Sequence, residues 1–195
     1  MVSPAKKIKL VRENLALAMA LWKAAANGHI GPNDLVDRNA DNGEGDQISA
    51  PNSLDRAQED KLTRSAGNQV RASFALAVTQ TQQSLDSVFS VDPLDEEAPD
   101  LQAARCAMYL LNAAMATDMF SPVWDCPPRY RRLLEVRPIR FVLDANEIQG
   151  RVLNWEHFGG LEKFLYLLDY CESWVEQPGR SSARAWARRP ASGAP

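Results

Sequence analysis

Apolar residues recur every three or four positions along the first part of the chain, and this period predicts three amphipathic helices. The first helix is predicted over residues 5–27, where Asn27 and Gly28 supply a stop signal. The second carries a continuous apolar stripe from Leu62 to Val88, a length typical of the spine of a helical bundle. The third is predicted between Ala103 and Met119.

The pattern changes after this third helix, where a loop rich in Trp and Pro leads into short alternating segments. Three segments alternate apolar and polar residues as β-strands do, namely 133–136, 139–143 and 151–155. Pro138 is expected to interrupt the pairing of the first two segments, and Gln149-Gly150 is expected to form a turn. A last amphipathic helix is predicted to begin at Leu161.

These elements predict a mainly α fold, a four-to-five-helix bundle with a small antiparallel β-hairpin or three-stranded sheet inserted before the last long helix. The length suits a single helical domain, which we expect to cover residues 1–178. Within it, residues 28–53 are rich in Asp, Asn and Gly, which predicts an acidic and partly disordered loop. Residues 179–195 are predicted to form a disordered basic tail.

The amino-acid composition limits the class of protein and the cellular compartment that we expect. Hydrophobic residues make up 45% of the chain and charged residues 24%, which are ordinary values for a soluble globular domain. Three widely spaced cysteines, Cys106, Cys126 and Cys171, fit neither a disulfide framework nor a metal site, so a reducing cytoplasm is expected. No apolar run predicts a membrane span, and no motif predicts a metal ion or a cofactor.

Positive charge is concentrated around Tyr130 and again in the tail, although the net charge of −3 gives no general nucleic-acid signature. Arg129, Tyr130, Arg131 and Arg132 combine guanidinium groups with one aromatic ring, as contacts with a nucleic-acid backbone and its bases require. We therefore regard these four residues as candidate nucleic-acid-binding residues. In the alternative interpretation, the arginines pair with the carboxylates of the acidic connector that follows the second helix, residues 91–100.

Arg151 and His157 form a possible catalytic pair. A neutral imidazole can deprotonate a ribose 2′-hydroxyl, and a guanidinium can stabilise the charge that develops on the phosphate. The alternative is structural: His157 belongs to the first turn or cap of a helix, while Trp155 and Phe158 anchor that helix to the core. In this second interpretation Gly159 and Gly160 permit close packing.

The helix from Ala103 to Met119, the Trp/Pro-rich loop, the strand pair and the segment Asn154-Trp-Glu-His-Phe-Gly-Gly-Leu161 occur in an order that resembles a bacterial branch of the HEPN superfamily. Active members of that superfamily are RNases that need an Arg and a His four to six residues apart at a helix end. The resemblance places these positions at Asn112 and Thr117. Neither side chain can act as a general base at neutral pH, so the motif is degenerate.

Three functional hypotheses follow. The resemblance implies a non-catalytic HEPN-like protein that acts through RNA or protein contacts, in a bacterial defence or toxin–antitoxin system and often as a homodimer. The second hypothesis is an active metal-independent endoribonuclease that uses Arg151 and His157, or Arg105. The third is a small helical subunit or adaptor of a larger complex, unrelated to HEPN, whose apolar helix faces bind a protein partner. We favour the first.

Overall fold

The computed structural model of the protein describes residues 2–31 and 59–176. This part of the chain is mainly helical with a small two-stranded sheet before the last long helix, which confirms the predicted fold class. The helices are α1 (Pro4–Ala26), α2 (Glu59–Val88), α3 (Pro99–Thr117), α4 (Ala145–Ile148) and α5 (Leu161–Glu176). Most of the predicted loop over 28–53, and all of the predicted tail over 179–195, lie outside the described residues.

Helix α1 begins and ends where its sequence provides capping groups. The Ser3 side chain accepts a hydrogen bond from the backbone N–H of Lys6, and Pro4 occupies the first turn, where its missing N–H costs nothing. After the helix ends, Gly28 adopts a φ of 69°, a left-handed conformation that glycine reaches without steric cost. The buried face of α1 consists of Ile8, Val11, Leu15 and Ala18, as its apolar period predicts.

Helix α2 lies against α1, α3 and α5, and its apolar stripe supplies the centre of the core. Phe74 is 1% exposed, and its ring centroid lies 4.5 Å from that of Phe164 in α5 and 6.2 Å from that of Phe158. Aromatic contacts of this kind add to the free energy gained by burying the rings. Arg12 of α1 forms an ion pair with Asp169 of α5, which joins these two helices at the surface.

The strands β1 (Leu133–Val136) and β2 (Phe141–Asp144) form an antiparallel hairpin. Leu134 pairs with Leu143 and Val136 with Phe141, so the buried side chains of both strands face the helices. Pro138 lies in the 3₁₀ turn Arg137–Ile139 between the strands, where it removes no ladder hydrogen bond.

The predicted third strand over residues 151–155 does not form. Only Val152 makes a β-bridge, to Val123 of the Trp/Pro-rich loop, and the chain enters a 3₁₀ turn (Trp155–Phe158) directly afterwards. Asn154 ends the extended backbone because its side chain accepts a hydrogen bond from the N–H of Glu156. The sheet is therefore a two-stranded hairpin.

The connector between α2 and α3 is held by a buried arginine. Arg105 of α3 is 1% exposed, and its guanidinium donates hydrogen bonds to the carbonyl oxygens of Phe89 (3.3 Å) and Val91 (2.8 Å) and to the Glu96 carboxylate (3.1 Å). A buried guanidinium requires such compensation. Arg105 is thus enclosed by the connector, which leaves it no access to an RNA phosphate.

In the part of the chain that the structure describes, every helix is too short or too polar to cross a membrane.

Candidate functional site: a groove lined by arginines and aromatic rings

The backbone around Arg151 is fixed by hydrogen bonds between two loops. The N–H of Trp124 donates to the carbonyl of Arg151 (2.9 Å), and the N–H of Gly150 donates to the carbonyl of Trp124 (2.9 Å). Two residues after Arg151, the N–H of Leu153 donates to the carbonyl of Pro122 (2.8 Å). These bonds place Arg151 on the surface beside α3, although no regular strand carries it.

Arg151 borders a cleft with a volume of about 510 Å³. Its walls combine apolar and aromatic side chains, including Phe74, Met115 and Phe120, with the polar groups of Asn154 and His157. Phe120 lines the cleft and is 58% exposed, so a ligand could contact its ring. A cleft with apolar walls and a few polar groups is the usual form of a ligand-binding site.

A second cleft of about 550 Å³ adjoins the first, since Arg71 of α2 and Trp155 line both. Its other walls include Trp22 near the end of α1 and, from α2, Arg64 and Gly67. We call the two clefts together the arginine groove. The groove is lined by three arginines, three aromatic residues and one histidine, among others: Arg64, Arg71, Arg151, Trp22, Phe120, Trp155 and His157.

The described lining of the groove carries positive charge. Among the described residues that line it there are three arginines and no Asp or Glu. Arg71 donates a hydrogen bond to Asn68 (3.0 Å), a neutral neighbour on the same helix. Within the described ranges, Arg64, Arg71 and Arg151 form no ion pair with a carboxylate.

His157 is held in place through its Nδ1 atom. The indole Nε1–H of Trp124 donates to Nδ1 (2.9 Å), and the backbone N–H of Asn154 donates to the same atom (3.3 Å). The second bond completes a capping box with Asn154, so the structural interpretation of His157 is confirmed. Because Nδ1 accepts both bonds, the ring is neutral and carries its proton on Nε2.

Partial burial lowers the pKa of His157, and the positive charge of Arg151 lowers it further. The neutral ring is therefore favoured in the folded protein. The lone pair of Nδ1, which a general base would use to accept a proton, already accepts hydrogen bonds from Trp124 and Asn154. Arg151 and His157 do come together in the groove, but in an arrangement suited to binding rather than to proton abstraction.

The anchoring roles expected for Trp155 and Phe158 are confirmed, because the rings of both residues contact Phe74 in the core. The role expected for the two glycines is different. Gly159 and Gly160 have φ values of 85° and 91°, and a Cβ atom at Gly160 would meet nothing within 4 Å. They are therefore needed for backbone conformation at the start of α5, and close packing does not explain Gly160.

The predicted patch at Arg129, Tyr130, Arg131 and Arg132 is largely engaged with the protein itself. Tyr130 is 1% exposed, its ring stacks on Tyr109 at a centroid distance of 4.5 Å, and its burial raises the pKa of the phenol to about 12. The ring is thus not open to stack on a base. Arg129 pairs with Asp92 of the connector at 3.3 Å, as the alternative interpretation expects.

The other two arginines of the patch bind backbone carbonyl groups. Arg131 donates to the carbonyl of Cys126 (2.7 Å), and Arg132 donates to the carbonyl of Arg129 (3.0 Å). Both residues are exposed, so the patch retains some positive charge while lacking an accessible aromatic ring.

The degenerate-motif positions Asn112 and Thr117 do not line the groove. The Asn112 Oδ1 atom accepts a hydrogen bond from the hydroxyl of Thr79 (3.0 Å), which links α3 to α2. Thr117 is the exposed last residue of α3.

Two groove residues, Arg64 and Arg71, are not predicted from the sequence. They stand seven positions apart in α2, which places them on one face of the helix, and Gly67 lies between them. A pair of arginines at this spacing on either side of a mid-helix glycine is the signal that points to them. Their meeting with Arg151 depends on the tertiary fold, which no local pattern encodes.

Comparisons of this chain with protein-family models, with curated proteins and with solved structures gave no match.

Proposed function

We propose that this protein binds single-stranded RNA in the arginine groove and does not cleave it. The observation that carries the proposal is the composition of the groove, which combines three arginines with three aromatic side chains, while its described lining contains no carboxylate. The residues are Arg64, Arg71, Arg151, Trp22, Phe120 and Trp155. Proteins that bind single strands use this combination, since guanidinium groups contact phosphates and aromatic rings stack on bases.

The exposure of the aromatic rings supports a single strand over a duplex. Phe120 is 58% exposed, and Trp22 and Trp155 are half-buried at the groove surface, so their rings can meet unstacked bases. The bases of a duplex stack on one another and do not offer their faces to protein side chains. The patch at residues 129–132 lacks this combination because its one aromatic ring is buried.

The state of His157 supports binding without cleavage. Metal-independent RNA cleavage needs a group that accepts the 2′-hydroxyl proton, and the Nδ1 lone pair of His157 already accepts two hydrogen bonds within the protein. Among the described residues that line the groove there is no second histidine and no carboxylate that could replace it.

Fluorescence anisotropy of a labelled RNA octanucleotide of mixed sequence, in EDTA, tests the proposal. Wild-type protein is expected to bind it, and the Arg71→Gln/Arg151→Gln variant is expected to bind at least tenfold more weakly, because two phosphate contacts are lost. A DNA octanucleotide of the same sequence shows whether the ribose contributes. The RNA recovered after incubation is expected to be intact.

The matched control is Arg131→Gln/Arg132→Gln, which removes the same charge from the other basic surface. Loss of binding in this control but not in the groove variant would move the site to the predicted patch. Cleavage by wild-type protein that disappears in His157→Ala would establish the RNase hypothesis instead.

The HEPN resemblance and the defence or toxin–antitoxin role that it implies remain part of this proposal. The order of α3, loop, hairpin and α5 is the order on which the resemblance rests. A protein partner or a homodimer is proposed on the same basis. Either is supported by three exposed leucines on one side of α1, namely Leu10, Leu17 and Leu21. The molar mass in solution of wild type and of Leu17→Lys tests the homodimer: a dimer that dissociates in the variant supports it, and a wild-type monomer contradicts it.

A further inference from the structure

His157 has two ring nitrogens with different surroundings. Nδ1 accepts hydrogen bonds from Trp124 and from the backbone of Asn154, whereas Nε2 has no hydrogen-bond partner among the described residues. The ring lines the first cleft of the groove. The fold therefore fixes one tautomer and presents an N–H donor whose own bond is not satisfied within the described chain.

The groove offers a ligand two kinds of hydrogen-bond donor, charged guanidinium groups and a neutral imidazole N–H. Arg71 and Arg151 carry full charges suited to phosphate oxygens, while partial burial and, after it, the charge of Arg151 lower the pKa of His157 and favour its neutral form. The cleft around His157 is walled by Phe74, Met115 and other apolar groups, which suit the flat face of a base. A neutral donor in such surroundings is better matched to the edge of a base than to a phosphate.

From this geometry we infer that His157 is a specificity-determining residue, whose Nε2–H donates a hydrogen bond to an acceptor atom of a base while Nδ1 remains fixed by Trp124. The inference rests on the proposed RNA-binding function and assigns a base-reading position within it. Because the tautomer is fixed, His157 acts only as a donor here. A base edge that presents a donor at this point is therefore rejected, since two N–H groups would face each other.

Long-range ¹⁵N–¹H NMR of the imidazole groups tests the first part of the inference. The free protein at neutral pH is expected to show His157 neutral, with its proton on Nε2. Addition of the RNA octanucleotide is expected to shift the Nε2 resonance and slow exchange of its proton with water. A proton on Nδ1 in the free protein, or an Nε2 resonance unchanged at saturating RNA, would overturn the inference.

Two substitutions separate the two nitrogens. His157→Asn keeps an acceptor near the position of Nδ1 and removes the Nε2 donor, so RNA affinity is expected to fall about tenfold, as for one lost hydrogen bond. His157→Gln places an amide N–H near the position of Nε2 and loses the Nδ1 acceptor. It is expected to be less stable but to retain most of the affinity. Equal affinity of His157→Asn and wild type would contradict the inference.

An octanucleotide without bases but with the same phosphates identifies the acceptor. If His157 reads a base, wild type and His157→Asn bind this abasic RNA equally. If the tenfold difference persists on it, the donor contacts the backbone and the base-reading assignment fails. Failure of the proposed function is recognised separately, because Arg71→Gln/Arg151→Gln would then bind intact RNA as tightly as wild type.

Discussion

At the scale of single residues, the hydrogen bonds around His157 explain both its geometry and its chemistry. The sequence provides the capping pattern, with Asn154 three positions before His157. It gives no indication that Trp124, thirty-three positions away, donates to the same ring. The candidate pair Arg151 and His157 could therefore be located from the sequence, but whether its histidine was free to act as a base could not.

Replacing Trp124 by Phe removes the indole donor to His157. We expect this variant to lose about 1 kcal/mol more free energy of unfolding than a matched control, as for one net hydrogen bond. The control is Trp174→Phe, because Trp174 is also buried and its Nε1 has no hydrogen-bond partner in the described structure. Urea denaturation measures both. Equal losses in the two variants would show that the Trp124–His157 bond contributes no stability.

The lowered pKa of His157 makes stability depend on pH in a defined direction. The unfolded chain binds the proton at the ordinary histidine value, about 6.5, whereas the folded protein resists it. The contribution of His157 is therefore complete above this value and is lost as pH falls through it toward the folded pKa. Denaturation midpoints from pH 7.5 to 5.5 are expected to fall less for His157→Asn than for wild type. Parallel curves would contradict the lowered pKa.

At the scale of elements, periodicity predicts α1, α3, α5 and the hairpin close to their observed positions, because their buried faces follow the helical and strand periods. The third strand fails for a local reason, since the side chain of Asn154 turns the chain into a 3₁₀ helix. The stacking role predicted for Tyr130 fails for a reason of tertiary structure, since Tyr109 and Arg129 cover its ring. The alternation of apolar residues and the distribution of charge along the sequence indicate neither of these two causes.

Gly67 lowers the stability of helix α2 but leaves space in the groove. Glycine inside a helix costs up to about 1 kcal/mol relative to alanine. A Cβ atom at Gly67 would lie 3.6 Å from the indole Nε1 of Trp22, an ordinary contact that requires no rearrangement. Because Gly67 lines the second cleft, the added methyl group would nevertheless reduce the space there.

Gly67→Ala is therefore expected to raise the free energy of unfolding by about 0.5–1 kcal/mol while weakening RNA binding. Denaturation and anisotropy on the same preparation give both quantities. Ala72→Gly, a change in the opposite sense five positions along α2 and outside the groove lining, serves as the control, with stability lowered and binding unchanged. A Gly67→Ala variant that is stabilised and binds RNA as wild type does would exclude Gly67 from the site.

At the scale of the whole molecule, the fold assembles a site that no single segment contains. Arg64 and Arg71 come from α2, Trp22 from α1, and Arg151 from a loop held against the Trp/Pro-rich segment. The acidic connector neutralises other arginines, through Arg105 with Glu96 and Arg129 with Asp92. Among the described residues the three groove arginines form no ion pair, and the proposed binding site therefore lies where arginines lack carboxylate partners within this part of the chain.

The salt dependence of RNA binding tests this account most directly. For single strands the logarithm of the binding constant falls with the logarithm of salt concentration, with a slope of about −0.7 per neutralised phosphate. Three groove arginines predict a slope of about −2 for wild type and about −0.7 for Arg71→Gln/Arg151→Gln between 50 and 200 mM salt. Arg131→Gln/Arg132→Gln is expected to retain the wild-type slope. If the groove variant and wild type share one slope, the arginine groove does not bind the RNA backbone.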